Sequence, residues 1–377
     1  MGRKKRFFVY SIVLLVFLLI SGCAASETQN SKSSEATEAI NENKESLSEA
    51  ENKNEKGTVV ILATGGTIAG AGEEGKETGY KSGTLSVDSL VDAVPGLTDI
   101  SNIKAEQICN VNSDDITSEI WIELANKINE MAQDENVSGF VITHGTDTME
   151  ETAYFLNLVV KTDKPIVLTG SMRPATAISA DGSMNLFQAV CVAASEESRG
   201  KGVMVVFSDK IFSARSVKKM STYNVMAMSA GETGSIGVVR NDEVSFYENT
   251  TRKHTIDTEF DVKGESKLPK VQIVYFAVDS DPEILKYAAK NTEGLVIAGA
   301  GAGEFSEGFI DAINGLDIPV VISSRIDDGI ITQDAVLCDK TVAANDLSPQ
   351  KAAILLRLAI MNKTTTQDEL IRLFDTY

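Results

Sequence analysis

Histidine is scarce, with only His144 and His254 in 377 residues. Neither has a second histidine or a C-x-x-C pair beside it, so the ligand spacings of a zinc site are missing. Cysteine is nearly as rare, with four residues. Cys109, Cys191 and Cys338 are widely spaced and lie in apolar settings, which reads as small buried hydrophobes and not a disulfide framework. Positive charge is in deficit: 35 Lys and Arg stand against 54 Asp and Glu, for a net −19. That balance argues against a nucleic-acid partner and against docking of the folded chain on an anionic bilayer. The apolar run Phe7–Ile20 counts 14 residues, short of the roughly 20 needed to span a bilayer.

What surrounds that run is informative. Arg3, Lys4, Lys5 and Arg6 precede it and Ile20-Ser21-Gly22-Cys23 closes it, the order of a secretory signal. The closing residues resemble a bacterial lipobox. This resemblance implies a signal peptide over 1–22, lipid modification of Cys23, and membrane attachment only through that lipid. The alternative is an uncleaved helical anchor; either way the bulk of the chain lies outside the cytoplasm. From Ala24 to Lys56 the chain is Ser, Glu, Asn, Lys, Ala and Thr with scarcely an apolar residue. It cannot bury enough surface to offset chain entropy, so residues 23–56 read as a disordered tether.

The remaining residues, about 320, alternate short apolar runs with helical patterns, the signature of an α/β protein. Strands are expected at 58–63, 139–143, 165–169, 202–207, 271–276, 294–298 and 318–323. Helices are expected from Ser86 to about Val94, around Trp121, Leu124, Ala125 and Ile128, from Pro349 through Ile360, and at the C-terminus. Residues 241–267 are polar and break the rhythm, so a linker is placed there. It separates a larger N-terminal domain, 57–240, with a mainly parallel sheet flanked by helices, from a smaller C-terminal α/β domain, 268–377.

The segment VVILATGGTIAGAGEEGKET admits two chemistries. Gly70, Gly72 and Gly75 fit the spacing of a dinucleotide loop, and Gly70-x4-Gly75-Lys76 nearly completes a phosphate loop. Glu77 stands where magnesium needs a Ser or Thr, and Gly70 comes seven residues after the last apolar residue of the strand instead of turning directly into a helix. Gly299, Gly301 and Gly303 lack the third glycine of the fingerprint. The second chemistry is nucleophilic. Three strand ends carry hydroxyls among glycines: Thr64 to Thr67, Thr143 to Asp147, and Thr169 to Ser171. Ligands gather outside the carboxyl ends of parallel strands, and glycine turns leave backbone N–H groups available to an oxyanion. Each threonine taken alone reads equally as a helix cap, Thr148 before Glu150 for instance.

At this point ILATGGTIAG and GFVITHGTDTMEETAYFL resemble the two signature segments of the bacterial asparaginases of the secreted, homotetrameric type. GSMRP, SADG, NLF and SPQKA extend the likeness from Thr58 to Tyr377. The resemblance implies hydrolysis of L-asparagine to L-aspartate and ammonia with no cofactor and no metal, in a homotetramer with sites shared between subunits. It implies Thr67 as nucleophile, Tyr80 as its partner on a mobile loop, and a relay of Thr146, Lys219 and Asp147. Ser113 would bind the α-carboxylate, and Asp114 and Asp147 the α-amino group. His144 reads as structural, because no acid completes a triad beside it.

Two positions depart from the family. Val336 stands where a glutamate usually follows TQDA, and Glu304 stands where an asparagine or serine is usual, so Glu304 becomes a compensating candidate for the substrate ammonium. The rival from another class is an amino-acid-binding surface lipoprotein without turnover; a third reading is a glutaminase-asparaginase of broad specificity.

Overall fold

Strand β1, Thr58–Gly65, is buried along nearly its whole length, and its two faces enter different cores. Val60 and Leu62 point into one, Val59, Ile61 and Ala63 into the other. A strand covered on both faces needs no polar alternation, which is why it reads as an unbroken apolar run. The computed structural model describes residues 56–76, 78–79 and 81–377. The expected signal, Cys23, nearly all of the tether, and Tyr80 lie outside the described residues.

The chain continues through β2 (Asn102–Val111), β3 (Val137–Thr143), β4 (Ile166–Thr169), β5 (Val203–Phe207) and β6 (Lys210–Ser213). Two short strands, β7 (Lys218–Lys219) and β8 (Met228–Ser229), pair with each other, and β9 (Gly237–Arg240) and β10 (Glu243–Phe246) follow. The larger sheet has eight strands in the order β10-β9-β6-β5-β4-β3-β1-β2. Its run from β2 to β5 is parallel, and β6, β9 and β10 add antiparallel pairs at the far end. The smaller sheet, β11 (Val271–Tyr275), β12 (Gly294–Gly299), β13 (Val320–Ser324) and β14 (Val342–Ala343), is parallel throughout. The protein is therefore α/β, with a large N-terminal domain on a mainly parallel sheet and a smaller C-terminal domain.

Helices cover the sheets. On one side of the larger sheet lie α1 (Val87–Asp92), α2 (Leu97–Ile100) and α5 (Gly182–Ala194); on the other lie α3 (Ser118–Met131) and α4 (Met149–Val159). The smaller sheet has α6 (Glu283–Ala289) and α7 (Glu307–Asn314) on one face. Its other face is covered by α8 (Pro349–Met361) and α9 (Gln367–Thr376), whose Leu355, Leu356 and Phe374 join the same core as Phe140 and Phe155 of the larger part. Serine and threonine caps set the helix starts: Ser86 accepts from the backbone N of Ser89, Ser348 from Lys351, and Thr366 with Glu369 closes a capping box.

All seven expected strands are present to within two residues at each end. Strand β2 was not expected. It lies at the sheet edge, carries Asn102, Lys104, Glu106, Gln107 and Asn110, and buries no residue fully, so it shows no apolar run to read. The 241–267 segment differs from a plain linker as well. It contributes β10 to the larger sheet and Phe260 and Val262 to the shared core, contacts invisible in its polar composition. The three described cysteines are free thiols. Cys191 and Cys338 are buried; Cys109, on the edge strand, is half-buried and donates to the Thr64 carbonyl, and burial pushes its thiol up to about 11.

The joint between α3 and α4 offers a test of the core. Phe155 is fully buried and stacks on Trp121 with centroids 5.1 Å apart. Phe155→Ala is expected to lower unfolding free energy by roughly 3–5 kcal/mol in urea titration.

Candidate active site

The carboxyl ends of β2, β1, β3 and β4 finish side by side. Ala63 of β1 is level with Gln107 of β2 and with Thr143 of β3, and Thr143 is level with Thr169 of β4. A register shift between Ala63 and Gly65 then swings β1 toward Val111. The loops leaving these ends pack backbone to backbone. A methyl group on Gly66 would sit 2.4 Å from the Gly145 nitrogen, and one on Gly145 would sit 2.8 Å from the Ser113 side chain. Gly66 also has a φ of 82°, a region that side chains disfavour. Glycine at these positions lets three loops meet, and the residues that follow the contact are Thr67 and Thr146.

Hydrogen bonding sorts the hydroxyls. Thr64 donates to the Thr143 carbonyl at 3.0 Å, Thr169 to the Val206 carbonyl at 2.8 Å, and Ser171 to the Arg173 carbonyl at 2.7 Å. These three tie strands and loops together. Thr148 begins α4 but its side chain does not cap the helix; it donates to the Ser113 carbonyl at 2.6 Å and locks that turn against β3's loop. Thr67 starts a single 3-10 turn, Thr67–Ala69, and is half-buried, whereas Thr146 is 5% exposed.

Lys219 reaches this cluster from β7. Its Nζ donates to Thr146 Oγ1 at 2.8 Å and pairs with Asp147 Oδ1 at 2.5 Å. The lysine side chain is 14% exposed while Asp147 is 67% exposed, so the chain of contacts runs from an interior hydroxyl to a solvated carboxylate. The neighbouring Lys218 turns away and donates to the Asp327 carbonyl of the smaller part. Glu150, in the first turn of α4, accepts the Lys219 backbone N–H at 2.7 Å. That contact was missed from the sequence, where a glutamate at a helix start reads as charge bias.

His144 is fully buried and its ring is held in one tautomer. Nδ1 faces the Gly145 carbonyl at 2.7 Å and so carries the proton; Nε2 then accepts from Thr152 at 2.8 Å, and the Trp121 indole donates to the same hydroxyl at 2.8 Å. Burial pushes the imidazole down to about 4, with the Gly145 contact opposing. A neutral ring anchored to Gly145 shapes the loop that carries Thr146 and Asp147.

Ser113 is buried in a 3-10 turn beside these loops, and Asp114 on the same turn is exposed. Glu304 is elsewhere: exposed, in a tight turn after β12 where it and Ala300 exchange backbone hydrogen bonds of 2.8 Å. Val336 packs against the core of the smaller domain. Among the described residues no group of three His, Cys, Asp or Glu is arranged to hold a metal ion. A cleft of about 280 Å³, lined by Arg215, Arg252, His254 and Asp346, holds neither Thr67 nor Thr146.

With this geometry in place, two family sequence models match the chain. "Asparaginase, N-terminal" covers residues 58–252, and "Glutaminase/Asparaginase C-terminal domain" covers 270–374. The chain belongs to the asparaginase family. It is similar to the L-asparaginase 2 of Bacillus subtilis, 41% identical over 387 aligned residues that cover 100% of both chains. The probable periplasmic L-asparaginase of Haemophilus influenzae is 46% identical, covering 82% of this chain and 89% of that one. A solved structure, the probable cytoplasmic L-asparaginase of Campylobacter jejuni, superposes with a TM-score of 0.81 at 43% identity, covering 85% of this chain and 100% of that one. This asparaginase-family protein is an amidohydrolase.

Two outcomes are expected from the loop geometry. Gly66→Ala forces the backbone at 66 away from Gly145, shifting the adjacent Thr67, and should lower turnover about 10²-fold or more, as measured by ammonia release. His144 titrates below its ordinary 6.5, so the unfolded state binds the extra proton first. The stability it confers is whole above pH 6.5 and lost as pH falls to about 4, a difference of about 3 kcal/mol. Urea midpoints of the native protein should therefore drop more steeply across this window than those of His144→Asn; equal slopes would count against a buried neutral ring.

Proposed function

We propose that this amidohydrolase converts L-asparagine to L-aspartate and ammonia through an ester on Thr67, with a side activity on L-glutamine. The observation that carries the reading is the Lys219 ammonium bridging Thr146 Oγ1 and Asp147 Oδ1 beside the loop that presents Thr67. A threonine hydroxyl is a weak nucleophile and must lose its proton as it attacks, and the hydrogen-bonded chain of Thr146, Lys219 and Asp147 offers a path for that proton. In the proposed sequence Thr67 Oγ1 attacks the side-chain amide carbon, its hydroxyl proton passes by way of Thr146 and Lys219 to the amide nitrogen, the C–N bond breaks, and ammonia leaves with Thr67 esterified. Water then cleaves the ester. Asp147 keeps Lys219 in place, Tyr80 partners the Thr67 hydroxyl when its loop closes, and Ser113 binds the α-carboxylate. Asp114 and Asp147 meet the α-ammonium.

Glu304 is proposed to act on the same ammonium from the smaller domain of a neighbouring copy, in a homotetramer with shared sites. Its exposed turn supports this, being open to a partner. The Arg3–Arg6 cluster, the short apolar run and Cys23 support a lipid-anchored enzyme outside the cytoplasm, and the Bacillus relative aligns across this segment as well.

The full-length chain should release ammonia from L-asparagine faster than from L-glutamine, and Thr67→Ala should reduce both rates by roughly 10³-fold or more. Binding of asparagine by calorimetry without ammonia release would instead favour an amino-acid-binding lipoprotein. Glu304→Ala should raise KM for asparagine roughly tenfold; an unchanged KM removes Glu304 from the site.

A further inference from the structure

Lys351 is a charged residue with no solvent contact, 0% exposed on α8 of the smaller domain. Its Nζ donates to two backbone carbonyls of the larger domain, Arg215 at 2.8 Å and Val217 at 2.5 Å. Burying an ammonium is costly unless its donors are met. Burial pushes this one down to about 7, with Glu150 and Asp346 opposing and Lys218 and Arg215 adding to the fall. A methionine, one atom shorter, would fill most of the space without burying a charge, so the two hydrogen bonds call for an account beyond packing.

The account lies in where the two carbonyls are. Arg215 to Val217 form the turn after β6, and the chain then enters β7 at Lys218–Lys219. Lys219 therefore follows the Val217 carbonyl by two residues. The same turn is gripped a second time through Arg215, whose guanidinium makes a double contact with Asp346 at 2.5 and 2.7 Å and a contact with the Tyr377 carbonyl at 2.9 Å. Glu150 of α4 holds the Lys219 N–H. The backbone on which Lys219 stands is thus fixed by α8 and α4 together, and it is the position of that backbone that sets the reach of Lys219 Nζ to Thr146 Oγ1.

We infer that Lys351 is a positioning residue for Lys219: from the smaller domain it fixes the Arg215–Val217 turn and thereby the geometry of the Thr146–Lys219–Asp147 relay. The inference rests on the reading that Lys219 belongs to the reaction. It makes turnover depend on the seating of α8 against the larger domain, at a residue that touches no substrate.

The test compares Lys351→Met, Lys351→Gln and Lys219→Met in the full-length enzyme, with initial rates of ammonia release and melting temperature measured together. Lys351→Met should lower kcat by about 10- to 100-fold, since a displacement near 1 Å can cost about 10²-fold. KM for asparagine should move less than about threefold, because neither Lys351 nor the Arg215–Val217 turn contacts Ser113, Asp114 or Asp147 directly. Lys351→Gln keeps an N–H donor and should fall between native and Met. A purely structural role would lower the melting temperature and leave kcat per folded enzyme unchanged; a kcat within twofold of native in folded Lys351→Met overturns the inference. If the Met variant does not fold, the Gln variant decides by the same split, a threefold or greater loss of kcat at constant KM supporting the inference and a native kcat overturning it. Lys219→Met separates the two levels. Native turnover there removes the underlying reading, whereas lost turnover there with native turnover at Lys351→Met removes only this inference.

Discussion

The close approach of three loops at the carboxyl edge of β2, β1 and β3 is the constraint on which the site depends. Parallel strands in level register bring their ends together but do not by themselves let the following loops touch. Gly65, Gly66 and Gly145 do that, since a methyl group at any of the three would overlap a neighbour at less than 3 Å. The hydroxyls that follow are then held by backbone geometry, which is stiffer than a side-chain contact. Such preorganisation is what allows a weak nucleophile to act with modest help.

Around that contact several polar side chains are committed to structural hydrogen bonds. Thr64, Thr169 and Ser171 brace strands and turns. His144 belongs to an ordered chain from Trp121 through Thr152 to Gly145. A histidine in an active-site loop invites a catalytic role, but desolvation and a fixed tautomer make this one a rigid spacer. The Thr146 hydroxyl is instead met by a lysine drawn from a different segment, 73 residues away.

The two sheets are energetically one object. Helix α8 places Leu355 and Leu356 in the same core as the residues of α4, and it also inserts the Lys351 ammonium beneath the turn that leads to Lys219. The smaller domain, beyond covering surface, holds by hydrogen bonds the turn from which Lys219 extends.

The sequence by itself determined most of the scaffold. Apolar runs such as Thr58–Gly65 and Val137–Thr143 mark central strands because both their faces are buried, and the glycine-flanked threonines mark where the strand-end loops converge. The edge strand Asn102–Val111 escaped, because half-exposed polar residues carry no period that distinguishes them from a loop. The strand and buried residues within 241–267 escaped because their partners are distant in the chain. The lysine that meets Thr146 was named through the family resemblance, but only the tertiary structure decided which hydroxyls are structural, where Lys218 turns instead, and that Glu150 and Lys351 hold the segment carrying Lys219. Each of these is a contact between segments whose proximity depends on sheet order and helix packing, and neither residue type nor local spacing encodes them.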